Sequence, residues 1–245
     1  KTTVVELGIT RNHTEMLMSQ FGININVEGS RITIDGGQQP TASNLRVPGD
    51  ISSAAFFIVA AAISSNSSLT IKDVGLNSTR DGIIKVMKHM GASVDANIHS
   101  YVGDEPVGDI QIKSSPLKAV RIEGEMIPNL IDEIPIVALA ATQAEGTTVI
   151  KDARELRYKE TDRIAAVVNN LRAIGAHIEP QEDGMIIHGP TPLKGGKVDS
   201  FGDHRIGMMG AIASLVCDAP VTIEDKECIN ISYPTFFDHL NQLTN

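Results

Sequence analysis

Repetition at a fixed period confines a chain to copies of one supersecondary unit stacked on each other. The stretch "GDISSAAFFIVAAAISSNSSLTIKDVGLNSTRDGIIKVMKHMGASVD" (49–95) runs parallel to "IDEIPIVALAATQAEGTTVIKDARELRYKETDRIAAVVNNLRAIGAHIE" (131–179). Each opens with an aspartate before an Ala-rich apolar helix pattern. A β-rich strand ending in Lys-Asp follows, then a polar turn with an arginine, an amphipathic helix, Gly-Ala and another strand. Asp50 aligns with Asp132 and Gly91 with Gly175, at offsets of 82 and 84. A third copy starts at "GDHRIGMMGAIASLVCDAPVTIED" (202–225), runs through a helix expected near 233–243, and stops without a closing strand. Alternating helices and strands predict a mixed α/β fold with helices packed on sheets.

The opening "KTTVVELGITRNHTEMLMSQFGININ" (1–26) matches the second copy from its strand onward but lacks the leading helix. A unit without that helix has an uncovered apolar strand face, so the chain is expected to be the C-terminal part of a longer protein. The first break falls in "GGQQPTASNLRVPGD" (36–50), which reads as a linker. With 245 residues, 42% of them hydrophobic, there is ample material for a core. Net charge is −9, so the overall field offers nothing to nucleic acid or an anionic membrane. The aromatic residues show no alternation with basic ones, which also counts against nucleic acid. Any anionic ligand must be held by local clusters. Cys217 and Cys228 form neither a CxxC pair nor a metal spacing with the histidines, and a reduced, cytoplasmic setting fits them best. Lys1 to Leu7 is a β-like run rather than a signal peptide. The longest apolar run, "AAFFIVAAAI" (54–63), is about half a bilayer span and predicts a buried helix.

"LRYKETDRI" (156–164) crowds opposite charges where an amphipathic helix begins. From Ile164 the apolar residues fall at 164, 167, 168, 171 and 174, a helical period. At about 100° per residue, Glu160 projects onto that apolar stripe, Arg163 toward its edge and Lys159 further round. A carboxylate placed there is costly unless paired, and its pKa is open to perturbation. Lys159 and Arg163 stand four apart, mildly repulsive unless an anion docks at the positive helix end. Two readings stay open: Glu160 and Arg163 pair to fill a hole, or they belong to an anion site.

Asp132 precedes a nearly uncharged helix with Pro135 in its first turn, and capping alone would explain it. Asp203, His204 and Arg205 hold the same place in the third copy, where His204 and Arg205 can equally be surface residues. Yet the repeat stacks these helix starts alike. A quasi-threefold arrangement points several positive helix ends and their basic residues at one face.

"LRYKETDRI" with "LRAIGA" resembles the signature of the 5-enolpyruvylshikimate-3-phosphate synthase family. "GDISSAAFFIVAAAI", "IPNLIDEIPIVALAAT", "GDHRIGMMGAI" and "ISYPTFFDHL" look like further blocks of that family, in the expected order and across essentially the whole chain. The resemblance implies repeated βαβαββ units. It makes residues 1–45 a remnant of an N-terminal half and residues 46–245 a C-terminal domain of about three units. The implied reaction belongs to aromatic amino acid biosynthesis. It moves the enolpyruvyl group of phosphoenolpyruvate to the 5-hydroxyl of shikimate 3-phosphate and releases phosphate, with no metal or organic cofactor. The implied partners are those two substrates and the missing N-terminal half, not nucleic acid or membrane.

By resemblance, Asp132 contacts the shikimate hydroxyls and takes the 5-hydroxyl proton, while Lys159 polarises that group. Glu160 exchanges a proton with the methylene carbon. Arg163 and Arg205 hold phosphoenolpyruvate, with His204 beside them, and Arg11 meets shikimate 3-phosphate. The pattern departs at Ile231, where some members carry a basic residue two before the aromatic-Pro pair, here Tyr233-Pro234. Contacts assigned to the absent half are lacking, so little turnover is expected from this polypeptide alone. Two other readings remain. One is the related UDP-N-acetylglucosamine enolpyruvyl transferase, which would need a reactive cleft cysteine. The other is a non-catalytic anion-binding α/β module. His89, His99, His177, His188 and His239 are scattered and read as surface or packing residues.

Overall fold

The computed structural model describes residues 1–8 and 10–244. The chain builds β1 (Thr2–Val5), α1 (His13–Gln20), β2 (Ile25–Glu28) and β3 (Arg31–Ile34). Next come α2 (Ile51–Ile63), β4 (Ser68–Gly75), α3 (Gly82–His89), β5 (Ser93–Val102) and β6 (Glu105–Lys113). A further unit comprises β7 (Arg121–Ile122), α4 (Met126–Leu130), α5 (Ile134–Thr142), β8 (Gly146–Ile150), α6 (Arg163–Ala173), β9 (His177–Gln181) and β10 (Gly184–Gly189). The last unit is β11 (Gly196–Asp199), α7 (His204–Ala213), β12 (Val221–Glu224) and α8 (Phe236–Thr244).

One path recurs. A strand leads through an amphipathic helix into an antiparallel hairpin, whose second strand inserts beside the first. The sheets accordingly run β1-β3-β2, β4-β6-β5 and β7-β8-β10-β9. A parallel strand and an apolar helix precede that path: β7 and α5 before β8, β11 and α7 before β12. Before β4 the parallel strand shrinks to the single bridge Gly49–Val74, followed by α2. The β7–β10 unit shows the whole βαβαββ order, the β4–β6 unit shows it with the first strand reduced to that bridge, and the first and last units show parts of it, matching the expected mixed α/β class.

The apolar helices α2, α5 and α7 pack against one another at the centre. Every residue of α5 is buried, as are all but two of α2, which carries the 54–63 run. A helix apolar all round has no solvent face and must sit inside. The outer helices are one-sided: α6 buries Ile164, Val167, Val168 and Leu171 and leaves Asn169 and Arg172 at the surface. Phe236 of α8 closes the core against Phe56 and Phe57, edge-on and tilted, with ring centroids 6.3 and 5.5 Å apart. In the first sheet, by contrast, Val4, Val5 and Val27 stay about half exposed. Residues 38–48 between that sheet and α2 form no regular element.

The turn-rich stretch that follows β5 closes a tight hairpin with β6. Val102 pairs with Glu105 across Gly103-Asp104, and Gly103 takes φ +60°, a conformation that glycine adopts freely.

Candidate active site

The starts of α5, α6 and α7 converge: Arg163, the first residue of α6, donates to Asp132, just before α5, and to Asp203, the cap of α7. Asp132 lies in the turn between α4 and α5. It does not cap α5; Glu133 stands at that position and its side chain makes no capping bond. Freed from capping, the Asp132 carboxylate gathers cations from three separate stretches of chain. Arg11 of the first unit donates to Oδ2 at 2.5 Å. Arg163 donates to Oδ1 at 3.3 Å, and the Lys159 ammonium lies 3.5 Å from the same oxygen. Arg205 of α7 sits 3.9 Å from Oδ2 and donates to the Asp132 carbonyl at 3.4 Å. Burial pushes the Asp132 pKa up, but Arg205, Arg11 and Lys159 outweigh it and hold the carboxyl well below the usual carboxylate range.

The charged segment itself folds differently from a helix start. Residues Arg154–Tyr158 form a 3-10 turn, Lys159 is extended, and α6 begins only at Arg163. Asp162 caps that helix by accepting from the Ala165 amide, and it also accepts from Arg157 at 2.7 Å. A helical wheel therefore does not apply to Glu160. Its side chain is 50% exposed rather than set among core residues, and the arginine is the buried partner, at 1%. Arg163 donates to Glu160 at 2.6 Å and to Asp203 at 2.8 and 3.3 Å. The Glu160–Arg163 pair thus belongs to the same charged cluster as Asp132 and Asp203.

Asp203 is wholly buried and caps α7 through the Arg205 amide at 2.9 Å. His204, next along, is half-buried; burial and the neighbouring Arg205 lower its pKa, favouring the neutral ring. Ile231 is 77% exposed and brings no charge to the cleft.

Four further groups extend the face, and sequence reasoning had not assigned them. Ser52 of α2 donates to the buried Glu133, and Arg80 donates to Ser52 at 2.5 Å while pairing with Asp50 at 2.9 Å. Burial raises the Glu133 pKa, only partly countered by Ser52 and Arg205. Neighbours in sequence, Asp132 and Glu133 are thus driven in opposite directions. The signal for Arg80 was present: it is the arginine of the polar turn that the first copy shares with the second.

All seven residues expected at the site, Arg11, Asp132, Lys159, Glu160, Arg163, His204 and Arg205, come together at this one face. An ionised carboxylate under cations can order a hydroxyl, and the arginines suit carboxylate and phosphate geometry.

Comparison with known proteins fixes the class. The structure superposes on EPSP synthase from Acinetobacter baumannii with a TM-score of 0.93 and 40% identity, covering 99% of this chain and 56% of that one. The enolpyruvyl transferase NikO from Streptomyces tendae shares the fold, with a TM-score of 0.80 at 19% identity over 99% of this chain and 55% of its own. The architecture is that of enolpyruvyl transferases. A sequence profile described as EPSP synthase (3-phosphoshikimate 1-carboxyvinyltransferase) matches residues 1–240, and the chain belongs to that family. The 3-phosphoshikimate 1-carboxyvinyltransferases of Bacillus subtilis and Bacillus licheniformis are 55% and 54% identical to it over 244 and 243 residues. Each match takes in 99% of this chain but 57% of the relative, so the chain spans a little over half their length. Among the described residues no helix is long and apolar enough to cross a membrane.

Proposed function

We propose that this chain forms one wall of a cleft in which the enolpyruvyl group of phosphoenolpyruvate passes to the 5-hydroxyl of shikimate 3-phosphate, releasing phosphate. The setting is the cytoplasmic shikimate pathway, and the reaction uses neither metal nor organic cofactor. One observation carries the reading: a single carboxylate, Asp132, is shared by Arg11, Lys159, Arg163 and Arg205, with Glu160 one arginine away.

That geometry has a chemical consequence. A carboxylate so firmly held is a weak base. Two anionic substrates that draw Arg11, Lys159 and Arg205 onto their own oxygens would weaken that hold and return basicity to Asp132 as the sugar hydroxyl arrives beside it. Lys159 polarises the same hydroxyl. Arg205 and Arg11 are the more open guanidinium groups, so they serve phosphoenolpyruvate and shikimate 3-phosphate first. Arg163 has its donors engaged and reaches a substrate only by exchanging Glu160 or Asp132. Its main effect is to orient those two carboxylates. Glu160, half exposed, faces the cleft and exchanges the proton of the methylene carbon. His204 stays neutral beside Arg205.

Because the relatives are longer, the remaining cleft wall is assigned to sequence beyond these residues, and closure completes the site. Phosphate release by the 245-residue chain alone should fall far below that of full-length relatives; an equal rate refutes this. In the encoded polypeptide, Glu160→Gln should lower kcat by about 10²–10⁴-fold, the usual weight of a general acid–base group. A kcat unaffected by that substitution would refute the role of Glu160, and tight shikimate 3-phosphate binding with no turnover by the encoded polypeptide would leave only an anion-binding module.

A further inference from the structure

We propose that His177, Glu179 and His188 form a binding site for one divalent transition-metal ion of the zinc class, on the sheet face away from the core. The alternation of strands puts the three together. Ile178 and Ile187 turn inward at 1% and 0% exposure, so their neighbours His177, Glu179 and His188 face solvent. His177 and His188 are direct cross-strand partners on β9 and β10, and His188 in turn faces Thr147 on β8.

The distances favour a shared ion over a simple hydrogen-bonded group. The Nε2 atoms of His188 and His177 lie 3.5 and 3.9 Å from the same Glu179 oxygen. Both exceed the range of about 2.7–3.2 Å for a good N–H···O bond. Ligands held at about 2.1 Å from a tetrahedral zinc stand about 3.4 Å from each other. All three ligand atoms already lie within 4.8 Å of one another. The imidazole rings sit side by side, centroids 4.3 Å apart and tilted by 32°.

Orientation is prepared as well. Thr147 Oγ1 holds His188 Nδ1 at 3.0 Å, which leaves Nε2 free to bind and fixes the ring, the role that outer partners play at metal sites. Two imidazoles and a carboxylate suit zinc, nickel or copper rather than magnesium or calcium. Water would complete the shell. Because β9 is the edge strand, the ion would clip that edge to β10 and bind only the folded hairpin.

The test is calorimetric titration of zinc chloride into tag-free, chelator-stripped protein. Wild type and His99→Gln should each take up one ion. The latter disrupts the other His–carboxylate group, Asp73, His99 and Asp109. His188→Gln should weaken uptake at least tenfold, and His177→Gln/His188→Gln should abolish it. All these positions are at the surface, and an unchanged circular dichroism spectrum checks folding. No uptake by wild type, uptake retained in the double variant, or uptake lost in His99→Gln would each overturn the assignment.

Discussion

Replacing Arg163 with methionine should unfold this protein at markedly lower denaturant, and the structure says where the loss arises. Methionine fills most of the volume but removes every donor. Glu160 is half exposed and loses little, since a solvated carboxylate needs no partner. Asp132 keeps Arg11, Lys159 and Arg205. Asp203 is different: wholly buried, it would retain the Arg205 amide as its one hydrogen-bond donor. Stranding one partner of a buried ion pair costs about 3–5 kcal/mol. With a urea slope of about 3 kcal/mol per M, the midpoint falls by about 1–1.7 M. The chain has no tryptophan, so far-UV circular dichroism is the probe. Arg163→Met/Asp203→Asn should recover at least about 2 kcal/mol, because the amide oxygen still caps α7 and no charge is left unpaired. A midpoint shift below about 0.3 M in the single variant, or no recovery in the double, refutes the assigned pairing.

The two adjacent carboxyls should give opposite pH signatures. Asp132, with its folded pKa depressed, contributes stability that is present above its unfolded value of about 3.9 and lost as pH falls through the folded one. Glu133, with its folded pKa raised, loses stability as pH rises from its unfolded value of about 4.3. Glu133→Gln keeps an acceptor for Ser52, so thermal melts should show it gaining on wild type as pH increases; a constant difference refutes this. Gly184→Ala should destabilise by about 1–3 kcal/mol, since an added Cβ would lie 1.9 Å from the Ile150 carbonyl oxygen and force β10 away from β8. An unchanged melting temperature would contradict that packing.

The repeat carried much of the fold. Copies in register implied stacked units, and the apolar run 54–63 marked α2 as a buried helix. What periodicity could not give was the local path at residues 154–162. The apolar spacing begins at Ile164, but Asp162 caps there and the preceding residues turn as a 3-10 segment, so extending the wheel back misplaced Glu160. Burial also fell on the unexpected partner, because Arg163 reaches Asp203 from another unit, a contact no local pattern contains. The Ser52–Glu133 bond lay hidden for the same reason, being made between repeats. The histidines read as ordinary surface residues include two brought face to face by hairpin register, which sequence distance conceals.

The most direct trial of the active-site assignment is the rate of phosphate release from phosphoenolpyruvate and shikimate 3-phosphate by the encoded polypeptide, whatever its length, with Asp132 intact and with Asp132→Asn. Asparagine preserves the size and one acceptor oxygen of the two that Arg11 and Arg163 now use, but it cannot take a proton, so kcat should fall by about 10²–10⁴-fold. A kcat within threefold of wild type would contradict the role given to Asp132.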